Sequence, residues 1–240
     1  MENDIDIPPP SYKIVLLGDS SVGKTCLVHR FITNKFDQNT ANTIGAAFIT
    51  KKYTSANKPD RQLKFEIWDT AGQERYRSLT PMYYRNAKVA LVCFDMNNFE
   101  TTFKTAKFWI EQIELNGATD ASDPIEIRLV GNKMDLFDKP QPEDLTEEQQ
   151  NRAKDQKQEY IDTIEEFCRT NNTITFHRTS AKDGSGVTEV FDSIIDNLDD
   201  DFFKFYFDKK RAELEAGRDG DQLSNILGSR LQNTATSRCC

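Results

Sequence analysis

Eight consecutive residues near the start of the chain, Gly18-Asp19-Ser20-Ser21-Val22-Gly23-Lys24-Thr25, fit the pattern G-x-x-x-x-G-K-[ST]. The chemistry they suit is the holding of phosphate. Glycines at both ends let the backbone wrap closely, so successive N–H groups turn inward toward oxygen atoms. Ser20, Ser21, Val22, Gly23, Lys24, Thr25 and Cys26 together form the cradle; Lys24 adds a point charge for the outer phosphates and Thr25 a hydroxyl for Mg²⁺. Such a loop implies a nucleoside triphosphate and leaves the base open. The bland alternative is a Gly/Ser-rich turn with a chance lysine. It is opposed by the flanks: Tyr12–Leu17 reads as a buried parallel strand, and Cys26–Thr33 as a helix with Leu27 and Phe31 on one face. A helix that starts at the loop brings unpaired N–H groups and a favourable dipole to an anion.

Two further motifs sit at strand ends. Leu63–Trp68 ends in Asp69-Thr70-Ala71-Gly72-Gln73. An aspartate there reaches Mg²⁺ through water, and Gly72 lets its N–H approach the terminal phosphate. Ile125–Val130 ends in Gly131-Asn132-Lys133-Met134-Asp135. The Asp135 carboxylate is able to accept from both guanine N1–H and the 2-amino group. Adenine lacks that pair of donors and would leave the charge unpaired, at a cost of roughly 1–3 kcal/mol or more. Asn132 suits the ring-nitrogen edge, and the Lys133 stem suits the ring face. The loop Thr179-Ser180-Ala181-Lys182 brings backbone N–H groups toward guanine O6.

These motifs need a sheet to carry them. Strand-like runs at 12–17, 49–53, 63–68, 89–94, 125–130 and 173–176 alternate with helical ones, and Ser55–Asp60 supplies the turn of one hairpin. That order argues an α/β fold with a mixed, mostly parallel sheet and its ligand loops at the strand carboxyl ends. Phe103, Ala106, Ile110 and Ile113 mark one helix, Tyr160, Ile161, Ile164, Phe167 and Cys168 a second, and Val187 to Leu198 a third that Phe202, Phe205 and Tyr206 extend past 205. Thr146-Glu147-Glu148-Gln149 is a capping box.

Composition sets limits. The 240 residues carry a formal charge of −8, which argues against nucleic-acid binding. No apolar run is long enough to span a bilayer, and the acidic start lacks a signal peptide's pattern. Residues 1–10 read as a disordered lead-in, 11–207 as the folded domain, and 208–240 as a flexible tail. Cys26, Cys93 and Cys168 read as small buried hydrophobes in a reducing compartment. Cys239 and Cys240 cannot be core. A vicinal disulfide or free thiols is one reading; double lipidation is the other, since stable anchoring takes two chains. The tail's six basic residues face five acidic ones, so lipid rather than charge would have to hold it.

The assembled set resembles a small GTPase of the Ras superfamily, and within it a Rab. The likeness covers roughly residues 11–205 and the terminal Cys-Cys. The run from Trp68 to Arg85, WDTAGQERYRSLTPMYYR, is characteristic of Rabs, and Thr43-Ile44-Gly45-Ala46-Ala47-Phe48 is similar to the early-endosomal subgroup, fungal members included. The resemblance implies a P-loop NTPase of the Ras-like type: a six-stranded, mostly parallel sheet with one antiparallel strand and helices on both faces. It implies GTP/GDP and Mg²⁺ as ligands. Thr43 would bind Mg²⁺ and the γ-phosphate, Phe36 would sit edge-on against guanine, and Gln73 would orient the attacking water. Phe48, Trp68 and Tyr83 match the aromatic triad that displays the nucleotide state, although plain core also explains aromatics on strands. Implied partners are an exchange factor, a GTPase-activating protein, a prenyl-binding escort or dissociation inhibitor, GTP-state effectors and a membrane surface. The chain itself is expected to be a monomer that cycles between cytosol and endosomal membranes.

One departure stands out. Asn132 and Ser180 lie 48 positions apart, beyond the usual family spacing, and the extra residues fall in 136–156. They are expected to form a surface insertion. Two rivals to the traffic switch are a P-loop kinase or ATPase, disfavoured by Asn132-Lys133-Met134-Asp135, and a GTP-holding scaffold, disfavoured by Gln73.

Overall fold

The strand β1 (Ser11–Gly18) is the axis of a six-stranded sheet. It is apolar and buried on both faces, as a strand covered on both sides must be. The antiparallel pair β2 (Ala46–Thr54) and β3 (Gln62–Thr70) lies to one side, with β3 parallel to β1 and Val15 opposite Trp68. On the other side come β4 (Val89–Asp95), β5 (Glu126–Asn132) and β6 (Thr175–Arg178), all parallel. The order is β2-β3-β1-β4-β5-β6, so the chain reverses its direction of growth at β1 and a crevice opens beyond the strand carboxyl ends. This is the α/β sheet with one antiparallel strand expected from the sequence. The computed structural model describes residues 7–72, 80–116, 124–139, 146–214 and 216.

The helices are α1 (Lys24–Thr33), α2 (Thr80–Tyr84), α3 (Phe99–Asn116), α4 (Met134–Phe137), α5 (Glu147–Thr170) and α6 (Val187–Asp196). Alternate side chains of each strand face opposite sides, and each side has its own helices. On one, Phe31 of α1 stacks on Phe191 of α6 at 3.6 Å, and both rings meet Phe65 of β3. On the other, Phe103 of α3 lies between Phe94 of β4 and Phe167 of α5, with Val15, Leu17, Val92, Leu129 and Ile164 in the same core.

The capping box forms: the Gln149 N–H donates to the Thr146 hydroxyl at 3.3 Å, and the Gln149 side chain accepts from the Thr146 N–H at 3.0 Å. The later part of the 136–156 segment is therefore the exposed first turns of α5, braced where Lys157 donates to the Lys139 carbonyl. Residues 140–145 lie outside the described ones.

Three expectations need correction. The last helix is not continuous past 205. It ends at Asp196, whose carboxylate accepts from Ser55 and Asn57 at 2.7 Å each while its carbonyl accepts from Lys58 at 2.9 Å. A new helical segment at 200–214 starts under an Asp199 cap, which accepts from the Phe202 N–H at 2.8 Å. Residues 11–196 form one compact unit; the described parts of 1–10 and 197–240 form a second, where the Tyr206 hydroxyl donates to the Pro8 carbonyl. The last strand begins two residues late, at Thr175, because the Ile174 N–H turns back to Asn171. Of Cys26, Cys93 and Cys168, only Cys93 is fully buried, and burial pushes its thiol up to about 12.

Beneath α6, Arg128 of β5 is buried against Glu126 at 2.7 Å and the Ser193 carbonyl at 3.1 Å, with His177 Nε2 at 3.5 Å. Burial, then the guanidinium, hold the His177 imidazole down at about 4. Above pH 6.5 the ring is neutral in both states. Between 6.5 and 4 the unfolded chain binds a proton that the folded one refuses, so stability falls as the pH falls. With the ring partly exposed, about 1–2 kcal/mol should be lost between pH 7 and 5. Urea midpoints of wild type and His177→Gln at the two pH values check this; an equal pH slope in both proteins would refute it.

Candidate functional site

A cleft of about 410 Å³ opens where β1, β3, β5 and β6 end. Its floor is the 18–25 loop. Gly23 caps α1 at φ 96° and offers no side chain to the first-turn N–H groups, which leaves them for an anion. Lys24 is buried, and its ammonium donates to the carbonyls of Gly18 at 3.1 Å and Asp19 at 2.7 Å. Those bonds hold the head across the loop, and desolvation lowers its pKa. Ser20, Ser21, Gly23, Lys24, Thr25 and Cys26 all line the cleft, whereas Val22 turns its side chain into the core.

Three oxygens meet at one wall. The Thr25 hydroxyl donates to Asp69 Oδ2 at 2.6 Å and lies 2.8 Å from the Thr43 hydroxyl. Asp69 is 1% exposed, burial raises its pKa, and its second oxygen, Oδ1, has no hydrogen-bond partner. A buried carboxylate oxygen without a partner is costly unless water or a cation meets it. No group of three His, Cys, Asp or Glu side chains placed to hold a metal ion occurs among the described residues. Two hydroxyls and one carboxylate are hard donors that suit Mg²⁺ where phosphate oxygens and water complete its shell. The residues present fit that ion. Beside them, Gly72 packs so closely that a Cβ would lie 2.3 Å from the Asp19 carbonyl oxygen. The Ala71 N–H donates to Gly45 and ties the end of β3 to the chain before β2.

The opposite end of the cleft is built by Asn132, Lys133, Asp135, Ala181 and Lys182, with Phe36 among its lining residues. Asn132 clamps three loops: its amide donates to the Val22 carbonyl at 2.9 Å, and its oxygen accepts from the Ala181 N–H and the Thr179 hydroxyl. That leaves one amide hydrogen for a base. Asp135 Oδ1 accepts from the Ser180 hydroxyl at 2.8 Å, and Lys182 stands 4.0 Å from Oδ2. Ser180 is fully buried and acts through this bond rather than by lining the cleft. Lys133 pairs with Asp95 at 2.7 Å, which draws its stem along the wall.

The structure brings the three expected aromatics together. Phe48 and Trp68 are 5.1 Å apart, Trp68 and Tyr83 5.8 Å, and Phe48 is 52% exposed with Ile44 and Met82 also bare. Gln73 and the Cys239-Cys240 pair lie outside the described residues.

Sequence reasoning missed two residues that position the site. Asp95 ends β4 and could have been found by the strand-end rule that found Asp69. Arg30 gave no local signal: its guanidinium donates to the carbonyls of Ala181, at 2.8 Å, and Lys182, far along the chain.

The Ras family pattern matches residues 13–200. The chain is 39% identical to the GTP-binding protein YPT52 of Saccharomyces cerevisiae over 237 residues, 95% of this chain and 98% of that protein. It is 42% identical to the GTP-binding protein YPT53 of the same yeast over 188 residues, 78% and 76% of the two. With this sheet order, and with Lys24, Asn132 and Asp135 gathered on one cleft, this chain belongs to the Ras family of small GTPases.

Proposed function

We propose that this chain is a Rab-type GTP switch in vesicle traffic, working at endosomal membranes. The observation that carries the reading is the convergence on one cleft of a phosphate cradle, a hydroxyl–carboxylate trio and an oriented aspartate. The names of the yeast relatives support GTP as the ligand. Guanine is held by Asp135, with Asn132, the Lys133 stem, Phe36 and the N–H groups of Ala181 and Lys182 around it. Phosphates lie on Ser20 to Cys26, with Lys24 neutralising the outer charge. Thr25 and Thr43, with Asp69 through water, would hold Mg²⁺, which when bound would supply further charge neutralisation at the phosphate oxygens.

Gln73 orients the water that attacks the γ-phosphate. The phosphate loop contains no arginine, so turnover is slow until an activating protein supplies one, an effect worth roughly 10³–10⁵-fold. Loss of the γ-phosphate removes the partner of Thr43 and Gly72, and the change is read at Phe48, Trp68 and Tyr83. No helix among the described residues is long and apolar enough to cross a membrane. Anchoring falls to lipids on Cys239 and Cys240, with an escort protein carrying the chain between membranes and an exchange factor reloading it.

Single-turnover hydrolysis tests the switch. Gln73→Leu should slow GTP cleavage at least tenfold with GDP affinity held within twofold. Tagged Gln73→Leu should accumulate on endosomes, and a chain lacking Cys239 and Cys240 should be diffuse. Unchanged hydrolysis would point instead to a GTP-holding scaffold.

A further inference from the structure

Lys13 of β1 makes an unusual set of contacts for a surface lysine. Its carbonyl accepts from the Lys88 N–H at 2.9 Å, and its ammonium donates to the Arg85 carbonyl at 2.6 Å. Backbone and side chain therefore grip the same turn. That turn ends α2: the Arg85 N–H returns to Pro81, the Ala87 N–H to Tyr84, and Asn86 is left-handed at φ 58°. The last carbonyls of a helix lack partners within it and carry its negative end, and a cation is the group that suits them. The same ammonium stands 5.1 Å from the centroid of the Trp68 ring, within range of a cation–π contact. Trp68 in turn touches Phe48 on one side and Tyr83 of α2 on the other.

We propose that Lys13 is a positioning residue that locks the C-terminal end of α2 to the Trp68 ring and so sets the arrangement of Phe48, Trp68 and Tyr83. This rests on the switch reading above only in giving those aromatics an effector to meet. The alternative is that Lys13 merely fills space beside the sheet. An isosteric apolar side chain would then serve equally well, and a second cation would have no special standing. Tyr84 and Ala87 already bury this turn in the core, so removing the ammonium should loosen the carbonyl end and the ring without unfolding the protein.

The test uses the full chain with Trp109→Phe, which leaves Trp68 as its one tryptophan. Lys13→Met and Lys13→Arg are made in that background and loaded with GDP or a non-hydrolysable GTP analogue. For Lys13→Met, acrylamide quenching of Trp68 should rise at least twofold. Hydrogen exchange in peptides covering 81–88 should quicken at least tenfold relative to peptides from β5, and Lys13→Arg should restore both. GDP dissociation should stay within twofold. Quenching and exchange that match the parent in Lys13→Met would overturn the proposal. So would an acceleration equal in β5, which reports global destabilisation alone, or a failure of Lys13→Arg to restore either readout. If the parent's Trp68 quenches identically with GDP and the GTP analogue, the switch reading is what fails; the Lys13 comparison in the GDP form still decides the positioning role.

Discussion

Asp135→Asn should weaken GDP and GTP binding by about 10²–10⁴-fold while improving the fit of xanthine nucleotides. Two hydrogen bonds to a carboxylate are at stake, each worth about 1.5–3 kcal/mol. The Ser180 hydroxyl fixes Oδ1, so the carboxylate does not swivel freely. In the variant one oxygen becomes an NH₂. Facing guanine, that NH₂ meets the 2-amino group donor to donor, and both are left unpaired. Xanthine carries a carbonyl there and would accept from it. Titrations of GDP and xanthosine diphosphate against both proteins measure the switch. A GDP affinity that stays within threefold of wild type would mean that Asp135 does not read the base.

The second large effect concerns the proposed Mg²⁺ site. Asp69→Asn keeps the size of a side chain that is almost wholly buried, so no cavity confuses the result. It removes the charge that holds the Thr25 hydroxyl at 2.6 Å. Outer partners of this kind tune metal affinity by about 10–100-fold. The Mg²⁺ concentration needed to slow GDP release to half its metal-free rate should rise by that factor. Chelating Mg²⁺ from wild type should quicken GDP release toward the rate the variant already shows. Equal Mg²⁺ dependence in the two proteins would exclude Asp69 from the metal's surroundings.

What was legible in the sequence was local. The glycine loop and the Asn132–Asp135 turn are short runs whose place at the ends of apolar strands could be read off the chain, and the structure sets both at strand ends, β1 and β5. The Thr146–Gln149 cap was readable for the same reason, since both partners lie within one turn. Arg30 was not: its partners Ala181 and Lys182 are reached only through the fold. The end of α6 at Asp196 was hidden likewise. The apolar stripe continues in sequence, but Ser55, Asn57 and Lys58 of the β2–β3 turn, about 140 residues away along the chain, capture the helix terminus. Asp95 lay between these cases, visible by position yet without a motif to mark it.

The Asn132 clamp also bears on the order in which a growing chain acquires its shape. It joins Val22, Thr179 and Ala181, and β1 pairs with β4 across some 75 residues, as Ile14 does with Val89. Contacts so distant in sequence close slowly. During synthesis the 18–25 loop leaves the ribosome long before Ala181 exists to complete the Asn132 clamp. On the proposed function, a guanine nucleotide would therefore be unable to template the early sheet. It would stabilise the protein by mass action only once nearly the whole domain has been made and folded.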